Sequence, residues 1–405
     1  MEDIVIVGAG HAAGQAVASL RADGFTGPIR LIGDEPYLPY QRPPLSKKFL
    51  SGELDVERVY FKPPAFYEQA QVDVRLGLSV TGIDRAGHRL LTDKGEAIPY
   101  GKLILATGSR VRRLSIPGSD LVGIHYLRSI HDVEAMRAEF RPGARLVVVG
   151  GGYIGLEVAA VAAKLGLSVT VIEAADRVLA RVTAPVISAF YQRVHGEEGV
   201  QIRTGLGVAG FTGVSRVEGV EVAGGEVIPA DVVVVGVGIL ANVELAVEAG
   251  LRVEDGIVVD EFCRTDDPDI LAIGDCTRHP NGIYGRTLRL ESVHNALEQA
   301  KTASATLTGS LKAYVQVPWF WSDQFDLKLQ IAGLSQGHDT IVVRGNPEEG
   351  RSFAVFYLKG GVLIAVDAVN RPMEFLTARQ LIATHAEIAP ARLADETINM
   401  KQIAG

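Results

Sequence analysis

Apolar positions gather into short, nearly continuous runs at 4–7, 29–32, 103–106, 146–149, 169–173, 232–237 and 270–273. Runs of this length without polar alternation predict strands buried on both faces, as in a parallel sheet covered by helices. Two stretches of helical spacing, 11–22 and 154–165, each follow such a run across a glycine-rich turn. Each then leads into another apolar run. The order strand, turn, helix, strand therefore occurs twice, which predicts two parallel α/β units on one chain. The apolar stretch 146–167 is long enough to suggest a membrane span. Its five glycines, Glu157 and Lys164 favour a buried strand and helix instead.

Beyond Pro318 the spacing changes. Segments 329–333, 341–344, 353–358 and 362–366 predict strands, Gly360-Gly361 a hairpin turn and 373–385 a helix. This is the pattern of a small antiparallel α+β module. A chain of 405 residues has room for two or three such bodies.

Charge narrows the partners. With 40 basic and 48 acidic residues the net charge is -8, so the surface as a whole repels nucleic acid and anionic membrane. A local basic patch remains compatible with that balance. Cys263 and Cys276 are spaced for neither a CxxC redox pair nor a zinc site, and they argue against a disulfide framework. The scattered histidines predict no metal site. Met1, Glu2 and Asp3 lack the basic start of a signal peptide, so the expectation is a soluble protein of the reducing cytoplasm.

The glycine turns carry the chemistry. The first reads Gly8-x-Gly10-x-x-Ala13, with Asp34 and Glu35 just past the second strand. Gly8 permits the tight turn, Gly10 lets backbone N–H groups approach a pyrophosphate, and Ala13 keeps the helix close to the strand. An acid at the end of the second strand accepts hydrogen bonds from an adenosine ribose. The second turn reads Gly150-x-Gly152-x-x-Gly155, with Glu173 closing the next strand. A carboxylate there binds both ribose hydroxyls of NADH and repels the extra phosphate of NADPH. Arg177, four residues on, keeps the NADPH alternative open. Two dinucleotide sites on one chain imply that one cofactor reduces the other, and a flavin accepts hydride and releases single electrons.

The run Leu38-Pro39-Tyr40-Gln41-Arg42-Pro43-Pro44-Leu45-Ser46-Lys47 resembles the flavin-contacting loop of the putidaredoxin-reductase-like ferredoxin reductases. Ala106-Thr107-Gly108, the segment 150–157, Ala272-Ile273-Gly274-Asp275 and Pro318-Trp319-Phe320-Trp321-Ser322-Asp323-Gln324 are similar to the same group, so the resemblance spans the chain. It implies a glutathione-reductase-like fold with two Rossmann-like dinucleotide-binding domains and a C-terminal α+β domain. The FAD-binding domain would comprise 1–112 and 244–318, the NAD-binding domain 113–243, and the interface domain 319–405. The implied activity passes hydride from NADH to FAD, then single electrons to a 2Fe-2S ferredoxin. That ferredoxin would serve a monooxygenase cytochrome or a ring-hydroxylating dioxygenase, and the reductase would be a monomer or weak dimer.

By the same resemblance Ala12 and Asp34 belong to the FAD adenosine half. Arg42 and Lys47 lie on the flavin loop, Val80 and Arg128 elsewhere along the FAD, and Asp275 on the ribityl chain. Val293 falls at the pyrimidine end, and Trp321 at the flavin edge. Asp275 could alternatively be a helix N-cap. Tyr153, Ile154 and Gly238 join the NAD set. Lys47 and Glu157 are the implied catalytic ion pair beside flavin N5, against the plainer alternative of a loop lysine and a helix-start glutamate. Trp319, Phe320 and Trp321 form an aromatic cluster, either a core or a partner surface. Arg286, Arg289, Lys301 and Lys328 are the expected basic rim for an acidic ferredoxin.

Two positions depart from the family: Ala241, where many relatives have proline, and His294, where several have another residue. Segment 36–51 holds no cysteine, so a thiol relay beside the flavin lacks its nucleophile. The alternatives to a ferredoxin are rubredoxin, a quinone, or the NADH-binding interaction role of apoptosis-inducing factor.

Overall fold

The computed structural model describes residues 3–404. Met1 and Glu2, on which part of the N-terminal reading rests, lie outside them. The chain forms two compact units. The first comprises Met1–Gln41, Val56–Arg110 and Leu240–Pro318, and the second Arg42–Asp55, Val111–Ile239 and Trp319–Gly405. Most of the expected NAD-binding domain and the expected interface domain fall together in the second unit. The loop Arg42–Asp55, expected with the FAD-binding domain, groups with the second unit. Its Ser46 and Lys47 both bond to Glu157 of that unit, and Arg137 of the same unit donates to the Phe49 carbonyl.

The first unit is built on a five-stranded parallel sheet ordered Ile270–Ala272, Lys102–Leu105, Ile4–Val7, Ile29–Gly33, Val72–Leu76. The strand order reverses at Ile4–Val7 and Lys102–Leu105, and a doubly wound sheet opens its ligand crevice beyond such a point. Helix His11–Ala22 covers one face together with Val293–Leu307. Small residues let the two helices approach: Ala13, Ala16, Ala300 and Ala303 are all buried in the same core as Leu20 and Ile104.

The second unit repeats the plan. Its parallel sheet runs Gln201–Arg203, Ser168–Ile172, Arg145–Val149, Val232–Val235, Ile124–Tyr126. Each parallel sheet is accompanied in its own unit by a three-stranded antiparallel meander, Val80–Pro99 in the first and Val208–Pro229 in the second. The long apolar stretch 146–167 falls on the strand Arg145–Val149 and the twelve-residue helix Tyr153–Lys164. Among the described residues no helix is long and apolar enough to cross a membrane.

The second unit also holds a five-stranded antiparallel sheet ordered Trp319–Gln324, Leu327–Gly333, Val362–Val369, Phe353–Lys359, Thr340–Arg344. Strand Phe353–Lys359 is buried on both faces up to Leu358. Phe353 meets Phe190 of helix Pro185–Glu197 edge-on at 4.8 Å. Gly360 and Gly361 both take positive φ (57° and 85°), the backbone that a two-residue hairpin requires. The helix predicted at 373–385 runs Pro372–Ala383.

Candidate active site

The two glycine turns share one geometry. Gly8 has φ 111°, and a Cβ there would stand 2.2 Å from the Ala106 carbonyl oxygen. Gly150 has φ 109°, and its Cβ would stand 2.4 Å from the Gly236 carbonyl oxygen. In each unit the first glycine is thus demanded by the neighbouring strand of the reversal point. Gly155 is as constrained, since a Cβ would meet the Gly150 carbonyl oxygen at 2.1 Å. The middle glycines differ. A Cβ on Gly10 or Gly152, each the N-cap of the helix that follows, would meet nothing within 4 Å. Neither helix start carries a side-chain cap. Uncapped N–H groups beneath an open face suit a pyrophosphate, so both turns fit a dinucleotide.

In the first unit the turn opens onto a cavity of about 420 Å³ whose lining includes Gly8, Asp34, Val80, Thr107 and Asn242. Thr107 and Asn242 lock each other, the Thr107 hydroxyl donating to the Asn242 carbonyl at 2.7 Å and the Asn242 amide donating to the Thr107 carbonyl at 2.9 Å. Glu35 takes a different role from Asp34: it accepts the Tyr40 hydroxyl at 2.6 Å. Asp275 is no N-cap. It lies inside the short helical turn Gly274–Cys276 and accepts the Ser109 hydroxyl at 2.8 Å. Gly274 has φ 83° and would press a Cβ to 3.2 Å from Ala12, so these two resemblance-derived positions adjoin. Val293 opens the helix Val293–Leu307, capped by Ser292. Buried His294 follows it. Ala241 ends the short strand Ile239–Ala241, and Gly108 takes positive φ beside Thr107.

In the second unit Glu173 holds the turn itself. Its carboxylate accepts the Gly151 N–H at 2.7 Å and the Ala175 N–H at 2.8 Å. Arg177 donates to the Thr183 and Ala180 carbonyls and to the Ser188 hydroxyl, and so is tied into its own loop. A guanidinium fixed in that way is a poor receptor for a ribose phosphate. The Arg181 guanidinium lies 3.9 Å from where a Gly238 Cβ would stand. Tyr153 and Ile154 begin the helix, with Ile154 exposed. Arg42 donates to the Arg128 carbonyl at 2.5 Å.

The implied ion pair is present. Lys47 Nζ donates to Glu157 Oε2 at 2.6 Å and to the Pro43 carbonyl at 3.2 Å. Glu157 is 4% exposed, five residues into its helix, and is not held by the helix start. Ser46 donates to Glu157 Oε2 at 2.5 Å, and Ser322 donates to Oε1 at 2.6 Å. Three donors on one buried carboxylate offset the cost of burying its charge. Ser46 could have been suspected as the neighbour of Lys47. Nothing local to Ser322 points to Glu157.

Residues 2–300 match the family model described as pyridine nucleotide-disulphide oxidoreductase, and residues 319–404 match one described as reductase C-terminal. The chain belongs to the pyridine nucleotide-disulphide oxidoreductase family. It is 44% identical to putidaredoxin reductase CamA of Pseudomonas putida, over 99% of this chain and 96% of that protein. It is 45% identical to the anthranilate 1,2-dioxygenase system ferredoxin--NAD(+) reductase component of Burkholderia cepacia, over 99% and 98%. Among solved structures, the covalent putidaredoxin reductase-putidaredoxin complex matches with TM-score 0.97 at 44% identity, covering 99% of this chain and 98% of that one. The chain is therefore an oxidoreductase of the FAD-binding class that uses a pyridine nucleotide.

Despite its name, this family member has no available thiol among the described residues. Cys263 and Cys276 are fully buried, and burial pushes the pKa of both thiols above its ordinary value. The aromatic cluster needs correction. Trp319 and Trp321 share one face of their strand with ring centroids 5.3 Å apart, and Phe375 meets Trp319 at 5.8 Å. Strand alternation turns Phe320 to the other face, with Ser322. The expected basic rim is also less bare than its residue types suggest. Arg289 is paired with both Asp255 and Glu291, and Lys301 with Glu298. Lys328 stands across the strand pair from Asp323. Arg286 lies over the Tyr284 ring at 5.9 Å.

Proposed function

We propose that this oxidoreductase takes hydride from NADH onto FAD and passes single electrons to a small 2Fe-2S ferredoxin. The observation that carries the reading is the pair of matching dinucleotide cradles on a chain without an accessible thiol among its described residues. Electrons entering at one cradle must then leave to an outside acceptor, and relatives spanning the same length are named as ferredoxin reductases. FAD, when bound, accepts a hydride and can release its electrons one at a time. The chain's residues bind and orient. Gly8, Gly10, Asp34 and Thr107 hold the FAD adenosine and pyrophosphate, with Asp275 serving the ribityl hydroxyls. Gly150, Gly152 and Glu173 hold NADH. Lys47, held in place by Glu157, supplies positive charge at the flavin where reduction makes it more negative. The enzyme works in the cytoplasm as a monomer or weak dimer. Stopped-flow mixing of NADH-reduced enzyme with a 2Fe-2S ferredoxin, a rubredoxin and a quinone tests the acceptor: fastest reoxidation by the ferredoxin is expected, and indifference to it refutes the reading.

Nucleotide choice rests on Glu173. Glu173→Ala is expected to cost NADH binding about 1.5–3 kcal/mol, the scale of hydrogen bonds to a charged group. That is roughly a ten- to hundredfold rise in the dissociation constant. The native enzyme should reduce its flavin far faster with NADH than with NADPH, because Arg177 is committed to its own loop. Equal rates at equal concentrations refute the assignment.

Ferredoxin docking is proposed at basic surface that includes Arg286, Arg289 and Lys301 in the first unit and Lys328, with Trp321, in the second. An acidic partner guided by such charges gives turnover that falls as salt rises, while flavin reduction by NADH barely changes. Arg286→Glu is the variant of choice, because Arg286 is exposed at the start of the short strand Arg286–Leu288. It should raise the ferredoxin KM and leave NADH kinetics alone. No change in that KM places docking elsewhere.

A further inference from the structure

Behind the Lys47–Glu157 pair a chain of buried polar groups continues away from the lysine. Glu157 Oε1 meets the Ser322 hydroxyl at 2.6 Å, and Ser322 Oγ meets Gln324 Nε2 at 3.0 Å. Gln324 Oε1 then meets His195 Nε2 at 2.8 Å. Ser322, Gln324 and His195 are each at most 2% exposed. Strand alternation puts Ser322 and Gln324 on one face of Trp319–Gln324. His195 comes from the helix Pro185–Glu197, so three separate segments meet along this line.

The direction of every bond is fixed from the carboxylate end. An ionised carboxylate only accepts, so the Ser322 hydroxyl must donate to Glu157. With its one proton spent, Ser322 Oγ can only accept from Gln324, which sets the amide nitrogen toward the serine. The amide oxygen then faces His195, and it accepts only if His195 Nε2 carries the proton. The reversed amide would leave the serine donating to Gln324 and a buried carboxylate oxygen without its donor, a costly arrangement. Burial disfavours the imidazolium and pushes the His195 pKa down, so the ring is neutral with its proton on Nε2. Among the described residues its buried Nδ1 has no hydrogen-bond partner, which agrees with that tautomer, since a bare lone pair is cheaper to bury than an N–H.

We propose that Ser322, Gln324 and His195 are positioning residues of the active site, a one-way donor chain that fixes Glu157 in the rotamer that meets Lys47. All the dipoles point their positive ends at the carboxylate, so each bond strengthens the next. Ser46 and Lys47 hold only Oε2. Without Ser322 the other oxygen has no donor, and the carboxylate is free to rotate away from the lysine. Other charged or titratable groups act on the same region: Tyr153 on the Glu157 helix, Tyr191 beside His195, and Asp367 from the strand Val362–Val369. The Tyr153 and Tyr191 hydroxyls have no hydrogen-bond partner among the described residues, and Asp367 is engaged by Tyr357.

The proposal rests on the reading of Lys47 as the residue that assists flavin reduction, and the experiment separates the two. In 15N-histidine-labelled holoenzyme, the His195 imidazole, assigned by its loss in His195→Gln, should give a protonated-type Nε2 and a bare Nδ1 signal throughout neutral pH. A protonated Nδ1 overturns the chain, whatever the activity. In stopped-flow reduction by NADH, Ser322→Ala and Gln324→Met should lower the limiting rate tenfold or more with the NADH dissociation constant unchanged within twofold. Ser322→Thr, which keeps the hydroxyl, should restore the rate, whereas loss of packing alone would follow the melting midpoint and not the hydroxyl. Lys47→Met run beside them decides what has failed. If it slows reduction while Gln324→Met and Ser322→Ala do not, the chain is refuted and the ion pair stands. If Lys47→Met reduces at the native rate, the reading of the pair falls and the positioning role falls with it.

Discussion

Lys47→Met is expected to slow flavin reduction by NADH about a hundredfold or more, the usual cost of losing one preorganised electrostatic group. It should also leave FAD bound. The physical reason is that Lys47 is 17% exposed and sits against a carboxylate that is almost wholly buried. Removing the ammonium strands Glu157 with two serine hydroxyls and no opposite charge. Breaking a buried pair from one side typically costs about 3–5 kcal/mol, far more than the intact pair contributes over an apolar substitute. The same variant should therefore melt earlier, and adding Glu157→Gln should return most of the lost stability without returning the rate. Denaturant unfolding of the single and double variants checks the first half, and stopped-flow reduction the second. Native stability in Lys47→Met would show that Glu157 does not depend on the pair.

The second large effect lies outside the active site. Asp367 is 1% exposed in the middle of the antiparallel sheet, and burial pushes its carboxyl up to about 7 despite the Tyr357 hydroxyl that donates to it at 2.5 Å. Tyr357 in turn accepts the Ala184 N–H at 3.0 Å. In the unfolded chain the same carboxyl titrates near its ordinary value of about 3.9. Between those two values the folded protein keeps a proton that the unfolded chain has lost, so this group favours folding at low pH. That contribution is lost as pH rises through 7. Asp367→Asn keeps an acceptor for Tyr357 and cannot ionise. Relative to the native protein, the variant should gain about 3 kcal/mol of stability between roughly pH 4.5 and pH 8. A stability difference that is the same at both pH values would mean that the carboxyl is not raised.

Local signals in the sequence are enough for the central strands of each parallel sheet and the two glycine turns. They are not enough for the edge strands Val72–Leu76, Ile124–Tyr126, Gln201–Arg203 and Trp319–Gln324. The run 4–7 and the helical spacing 11–22 appear as Ile4–Val7 and His11–Ala22 because each depends only on neighbours in the chain and on burial. Spacing alone singles out Gly8, Gly150 and Gly155. The steric demand that explains them comes from backbone carbonyl oxygens 2.1–2.4 Å from where a Cβ would stand. What stays hidden is whatever one segment does to a distant one. Ser322 follows two tryptophans and carries no mark of Glu157. Arg289 and Lys301 look like free cations until Asp255, Glu291 and Glu298 are seen beside them. Residue type groups Phe320 with its neighbours, whereas strand alternation alone separates it from them.

The chain passes between its two units at Gln41, Asp55, Arg110, Ile239 and Pro318. Synthesis proceeds from one end, so neither unit can finish folding when its first residues leave the ribosome. The first sheet waits for Ile270–Ala272 to pair with Lys102–Leu105, and Glu157 waits for Ser322, made 165 residues later. A nascent chain stopped before residue 319 would hold its carboxylate with one donor missing and its helix Pro185–Glu197 without the strand that covers Phe190. Contacts this distant in sequence form slowly and leave apolar surface open in the meantime. Production of the protein should therefore depend on temperature and chaperone supply more than its finished stability suggests.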